Sequence, residues 1–179
     1  MTTRLLIHIT LALLWGISSP VAGIEQHSEE TLLKAVFIYN FAKFTRWPAT
    51  TWSTNNSSLR ICTIGDDELS RALVQLNDKK VREHTVIIEP REFENSLGGC
   101  HVLYIARSMR HMVKRTTNPI HLEPILTVSE IKDFTKHGGM IELYRIQGRI
   151  RFKINLRTAR DAGLDLSSRL LKLAVEVQR

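Results

Sequence analysis

The stretch Ile64-Gly65-Asp66-Asp67-Glu68 is the most enzyme-like part of the chain, because a β-rich run, a glycine and a helix start form the place where α/β folds usually hold phosphates. Its side chains point elsewhere. There is no G-x-G-x-x-G and no P-loop lysine, and three consecutive acids would repel an anion, so Asp66 is expected to cap the helix that follows. The histidines at 27, 84, 101, 111, 121 and 137 contain no H-E-x-x-H and no pair set on one helical turn beside a carboxylate, which leaves a zinc hydrolase without support. No serine lies in G-x-S-x-G, and Ser167 with Ser168 sits where a helix begins, so capping is the simpler role. Gly98-Gly99 and Gly138-Gly139 each precede a β-rich run and read as chain reversals, with a binding loop at His137-Gly138-Gly139 as the alternative. Neither a catalytic site nor a metal or cofactor is expected.

Cys62 and Cys100 carry the remaining chemistry, and the compartment decides what it is. Arg4 precedes the apolar run LLIHITLALLWGI, and the small-residue stretch SSPVAG follows, which is the order of a secretory signal peptide cleaved after Gly23. The competing reading, an uncleaved anchor, has only about 13 apolar-dominated residues against the roughly 20 that a spanning helix needs, and His8 interrupts them. Residues 24–179 are therefore expected to be exported and to form one domain. In an exported chain an even cysteine count favours a disulfide, here a structural one between Cys62 and Cys100; a redox switch is the alternative.

A third pattern is electrostatic. In RIRFKIN, residues 149–155, Arg149, Arg151 and Lys153 share one side of a strand and Ile150, Phe152 and Ile154 the other. The formal charge of the chain is +7, and from Met140 onward nine basic residues face four acidic ones. Export removes nucleic acid as the usual partner, and the aromatic interleaving of single-strand binders is thin. Two readings stay open: a solvated strand face whose charges keep its edge from pairing, or a face that docks an acidic protein or anionic lipid heads.

The elements that must position these residues follow from pattern. Ser28 reads as an N-cap with acids in the first turn, and residues 31–44 form a helix apolar on nearly every side, to be covered by its own domain or a partner. Trp47-Pro48 ends it, and residues 50–58 form a polar surface loop. Strands are predicted over 59–65, 85–90, 101–107 and 124–129, with helices over 66–76 and 131–138. Residues 140–146 and 149–156 flank Gln147-Gly148 as an antiparallel hairpin, and two helical segments, 158–163 and 166–177, close the chain. The fold expected is α/β in a single domain: a mixed central sheet of about six strands, mostly parallel with a C-terminal hairpin, flanked by helices.

Taken together, LLKAVFIYNFAKFTRWP, LRICTIGDD, GGCHVLYIARS, ILTVS, FTKHGGMIELY and RIRFKINLRTARDAGLDLSSRLLKLA resemble the YfiR family of periplasmic proteins over nearly the whole exported chain. The likeness is specific at Trp47-Pro48, at Gly138-Gly139-Met140-Ile141, at Arg151-Phe152 with Asn155, and at Ser168-Arg169-Leu170-Leu171. It implies a periplasmic regulator, not an enzyme, that binds the periplasmic region of an inner-membrane diguanylate cyclase similar to YfiN and lowers cyclic di-GMP, with consequences for biofilm. It further implies capture by a peptidoglycan-associated outer-membrane lipoprotein similar to YfiB, and a homodimer is a further arrangement. The family form carries two cysteine pairs; Cys62 and Cys100 match one, and the other has no counterpart here. An inhibitory binding protein would use Tyr39, Phe41, Phe44 and Trp47 as apolar anchors and Arg149, Arg151 and Lys153 to steer an acidic partner, the alternative for the aromatics being ordinary core. The second functional reading is a small-ligand-binding sensor or accessory domain that uses strand-end loops.

Overall fold

In a computed structural model, residues 22–52, 58–92 and 97–179 are described, with side chains from Glu29 onward. Apart from its last two residues, the leader expected over 1–23 lies outside them, as do residues 53–57 of the expected surface loop. The elements in chain order are α1 (Ala22–Lys43), β1 (Thr45–Arg46), β2 (Leu59–Ile64), α2 (Glu68–Leu73), β3 (Lys80–Val81), β4 (His84–Arg91), β5 (Val102–Ile105), α3 (Val113–Thr117), β6 (Leu126–Ser129), β7 (Ile141–Ile146), β8 (Arg149–Asn155), α4 (Leu156–Asp161), β9 (Asp165–Leu166), α5 (Ser168–Leu173) and β10 (Glu176–Gln178). No helix of the described residues is long and apolar enough to cross a membrane.

Eight strands form one mixed sheet in the order β10-β8-β7-β6-β5-β2-β4-β3. The five strands β4-β2-β5-β6-β7 run parallel, and the spatial order reverses between β2 and β5, the switch point of a doubly wound sheet. Gln147 and Gly148 both take positive φ (50° and 73°), as a tight hairpin turn requires, and pair β7 with β8 so that Tyr144 opposes Arg151 and Ile146 opposes Arg149. The expected six strands are present. The two extra ones are β3, which forms a hairpin with β4, and β10, which lies parallel to β8. Residues 166–177 are thus not one helix: α5 stops at Leu173, Ala174 turns extended, and Glu176–Gln178, around the β-branched Val177, continue as an edge strand.

Three other local expectations need correction. The α1 backbone begins before Ser28, so that serine does not open the helix. At its other end α1 stops at Lys43, not at Trp47-Pro48, because Thr45 and Arg46 pair with Leu166 and Asp165 in a separate two-stranded sheet. The α2 cap is Asp67 in place of Asp66: its carboxylate accepts from Ser70 N–H, while the Ser70 hydroxyl accepts from Asp67 N–H. Ser167 caps α5 as expected, accepting from Leu170 N–H.

Two cores result. The larger lies between the sheet and α1, α2 and α4, where Phe41 meets Phe152 edge-on at 4.9 Å. The smaller, on the other face, joins Ile64, Leu103, Ile105, Val113 and Phe134 to the disulfide between Cys62 and Cys100. Both cysteines are buried, which favours the structural reading of this bond, and closing a loop of sequence separation 38 is worth roughly 4 kcal/mol in chain entropy.

Trp52, expected on a polar surface loop, lies instead against the sheet, stacked on His84 at 3.8 Å and on His101 at 4.4 Å. His101 Nδ1 accepts from Arg60 N–H, and its carbonyl accepts from the Trp47 indole N–H at 3.2 Å. Burial, helped by the charge of Arg60 and by His84, lowers the His101 pKa from 6.5 to about 4. The unfolded chain therefore binds the extra proton first as pH falls. The stabilisation from keeping His101 neutral is complete above about 6.5 and is lost progressively as pH falls towards 4. Thermal melts across that interval should show falling stability in the native chain and a flatter profile in His101→Asn; an identical slope in both would remove this histidine from the acid response.

Candidate partner-binding surfaces

A strand in a half-covered sheet keeps alternate side chains out of the core. On β8 that alternation places Ile150, Phe152 and Ile154 beneath α1, while Arg149, Arg151 and Lys153 project from the opposite face beside Tyr144 and Ile146 of β7. Ile146 is 52% exposed, and Arg149 is exposed as well. Lys153 is engaged locally, 3.7 Å from the Glu176 carboxylate and 5.5 Å from the Tyr144 ring centre. Arg149 and Arg151 form no ion pair among the described residues. Because β10 pairs only with residues 153–155, the first half of β8 also has a largely open edge, flanked by these two arginines.

The four aromatics are placed differently from one another. Phe41 is 1% exposed and Trp47 is 9% exposed, so both are core and present little ring area to a partner. Tyr39 is half-buried and donates its hydroxyl to Lys80 C=O, tying α1 to β3. Phe44 is also half-buried, beneath the Arg169 guanidinium at 5.9 Å. The apolar area open to solvent on this helix belongs instead to Leu32, Leu33 and Val36, at 38%, 48% and 46% exposure. A helix apolar all round was legible as one needing further cover; which side remained uncovered was not, since that depends on how the helix is rotated.

Lys34 sets that rotation. Its ammonium is buried between two carboxylates, 2.6 Å from Glu30 and 2.8 Å from Glu130, which follows β6. Arg145 of β7 approaches Glu30 at 3.2 Å, and Arg107, beyond β5, approaches Glu130 at 3.0 Å. Five alternating charges thus run from the hairpin, through α1, to the carboxyl ends of β5 and β6. The ridge at Leu32 and Val36 and the stripe at Arg149, Arg151 and Lys153 end up on opposite sides of the sheet, so a single flat partner surface does not cover both.

Chemically reactive groupings are sparse. Among the described residues no cluster of three or more histidine, cysteine or acidic side chains is placed to hold a metal ion. The Tyr104 hydroxyl donates to Asp67 at 2.8 Å, and burial followed by the Asp67 charge raises its pKa, so the phenol stays protonated. A family model described as YfiR/HmsC-like matches residues 31–175. No curated protein matches the chain.

Removing one member of a buried charge group leaves its partners uncompensated. Lys34→Ala should therefore destabilise the fold by about 3 kcal/mol, the low end for a broken buried pair, because Arg107 and Arg145 remain. Lys34→Met combined with Glu130→Gln should recover part of the loss. Urea unfolding checks both, and a Lys34→Ala chain as stable as the native one would contradict the assigned geometry.

Proposed function

The chain belongs to the YfiR/HmsC-like family, and from that premise we propose that it represses an inner-membrane diguanylate cyclase by binding the cyclase's periplasmic region, lowering cyclic di-GMP. Membership supports a periplasmic regulator of cyclic di-GMP signalling, and the buried disulfide is consistent with export. The observation that carries the reading is the family match over residues 31–175. It is supported by the aliphatic ridge that α1 leaves open, since exposed side chains of this kind gain by being covered.

In this proposal the molecule acts by covering a neighbour and performs no turnover. Leu32, Leu33 and Val36 supply the apolar contact, and Tyr39 stiffens the helix from its flank. Arg149 and Arg151, on the far face, favour approach to acidic surfaces and suit a second partner, such as an outer-membrane lipoprotein that withdraws the repressor from the cyclase.

Deleting the gene should raise cellular cyclic di-GMP and biofilm mass, and restoring it in a form that carries its leader should return both to the starting level. Unchanged cyclic di-GMP in a strain that expresses the protein would overturn the proposal.

A further inference from the structure

Doubly wound sheets bind ligands beyond the carboxyl ends of their strands, at the switch point. Here that crevice, between β2 and β5, is filled. Gly65 (φ 78°) lies so close beneath the next loop that a Cβ there would meet Met109 Cγ at 2.6 Å and Ser108 Oγ at 2.8 Å. Asp67 is occupied as well, accepting from the Tyr104 hydroxyl and from Arg107 N–H. The opening is displaced by one strand, to a cavity of about 650 Å³ between the segments that follow β5 and β6. That size suits a small-molecule ligand.

The lining is strongly cationic. Arg107, Arg110, Lys114 and Lys132 line the cavity together with the apolar Val113 and Ile131. Its carboxylate, Glu130, is already held by Lys34 at 2.8 Å and by Arg107 at 3.0 Å. The nearby acid Asp133 pairs with Lys136. Arg110, Lys114 and Lys132 form no ion pair with a carboxylate among the described residues. Like charges gathered around a concave, partly apolar site repel one another and concentrate field there, and a bound anion relieves that repulsion. His111 and His137 also border the space, the latter from the turn at His137-Gly138-Gly139.

We infer that this cavity is a binding site for a small, multiply charged phosphoryl anion, held by Arg107, Arg110, Lys114 and Lys132. The two arginines offer planar donor forks that match phosphoryl oxygens, and the two lysines add point charges. Surplus positive charge around one compensated carboxylate matches a ligand with at least two negative charges. The phosphoryl group belongs either to a free organic phosphate or to a phospholipid head. This site is independent of the repressor reading, because it lies at the strand ends and not on the exposed ridge of α1.

Calorimetric titration of the exported chain with pyrophosphate, at ionic strength matched with sodium chloride, tests the site. Saturable binding is expected, weakened about tenfold or more in the doubly substituted chain Arg110→Gln, Lys132→Gln. Sedimentation with phosphatidylglycerol vesicles, compared with phosphatidylcholine vesicles, identifies a lipid source if pyrophosphate releases the protein. Absence of binding in both arms overturns the inference, as does binding unaltered by the double substitution. Capture of polyglutamate without any response to pyrophosphate would also overturn it, in favour of an acidic polypeptide. The cyclic di-GMP response of the double variant is read separately, so the site and the repressor reading fail independently.

Discussion

A buried lysine must be met by negative charge, and Lys34 is met twice, by Glu30 one turn earlier on its own helix and by Glu130 at the end of β6. That requirement fixes the rotation of α1. At about 100° per residue, a helix with Lys34 turned towards the strand ends also turns Ile38 and Phe41 inward, and directs Leu32, Val36 and Lys43 to within roughly 20° of the opposite direction. The observed burial follows this division. The same ammonium shares the Glu130 charge with Arg107, and so leaves the other cations around the strand-end cavity without a counter-charge. One set of ion pairs therefore decides both which apolar surface is offered and where positive charge accumulates.

The two faces of the sheet are unequal. α1, α2 and α4 cover one with a continuous core, whereas the other is served by the short α3 and by irregular turns. The disulfide is placed in this thinner layer, where fewer apolar contacts are available to resist opening. Beyond Phe134 that layer ends, and the outer face of β7 and β8 is left to Tyr144, Ile146, Arg149 and Arg151. The basic stripe thus marks the part of the sheet that the fold does not cover.

Local pattern was sufficient wherever the determining contacts are local. The Gln147-Gly148 turn, the alternation of residues 149–155 and the Ser167 cap depend on neighbours a few residues away. It failed where a distant partner decides. β10 exists because β8 offers it an edge, and residues 174–177 taken alone also fit a helical face. Trp52 is held by His84 and His101, far along the chain, so its polar neighbours misrepresent its surroundings. The same limit separates the aromatic residues of α1 from its exposed ridge: composition marked the helix as one to be covered, but the Lys34 to Glu130 contact, which chooses the covered side, joins residues far apart in sequence.

The exposed aliphatic ridge is the feature through which a regulatory role becomes physical, and affinity measures it most directly. Titrating residues 24–179 against the purified periplasmic region of the proposed partner, an inner-membrane diguanylate cyclase of the same cell, should give saturable binding, and Leu33→Asp with Val36→Asp should weaken it by about tenfold or more while leaving the melting temperature close to that of the native chain. Equal affinity in a folded variant, or no binding by the native chain, would contradict the role given to α1.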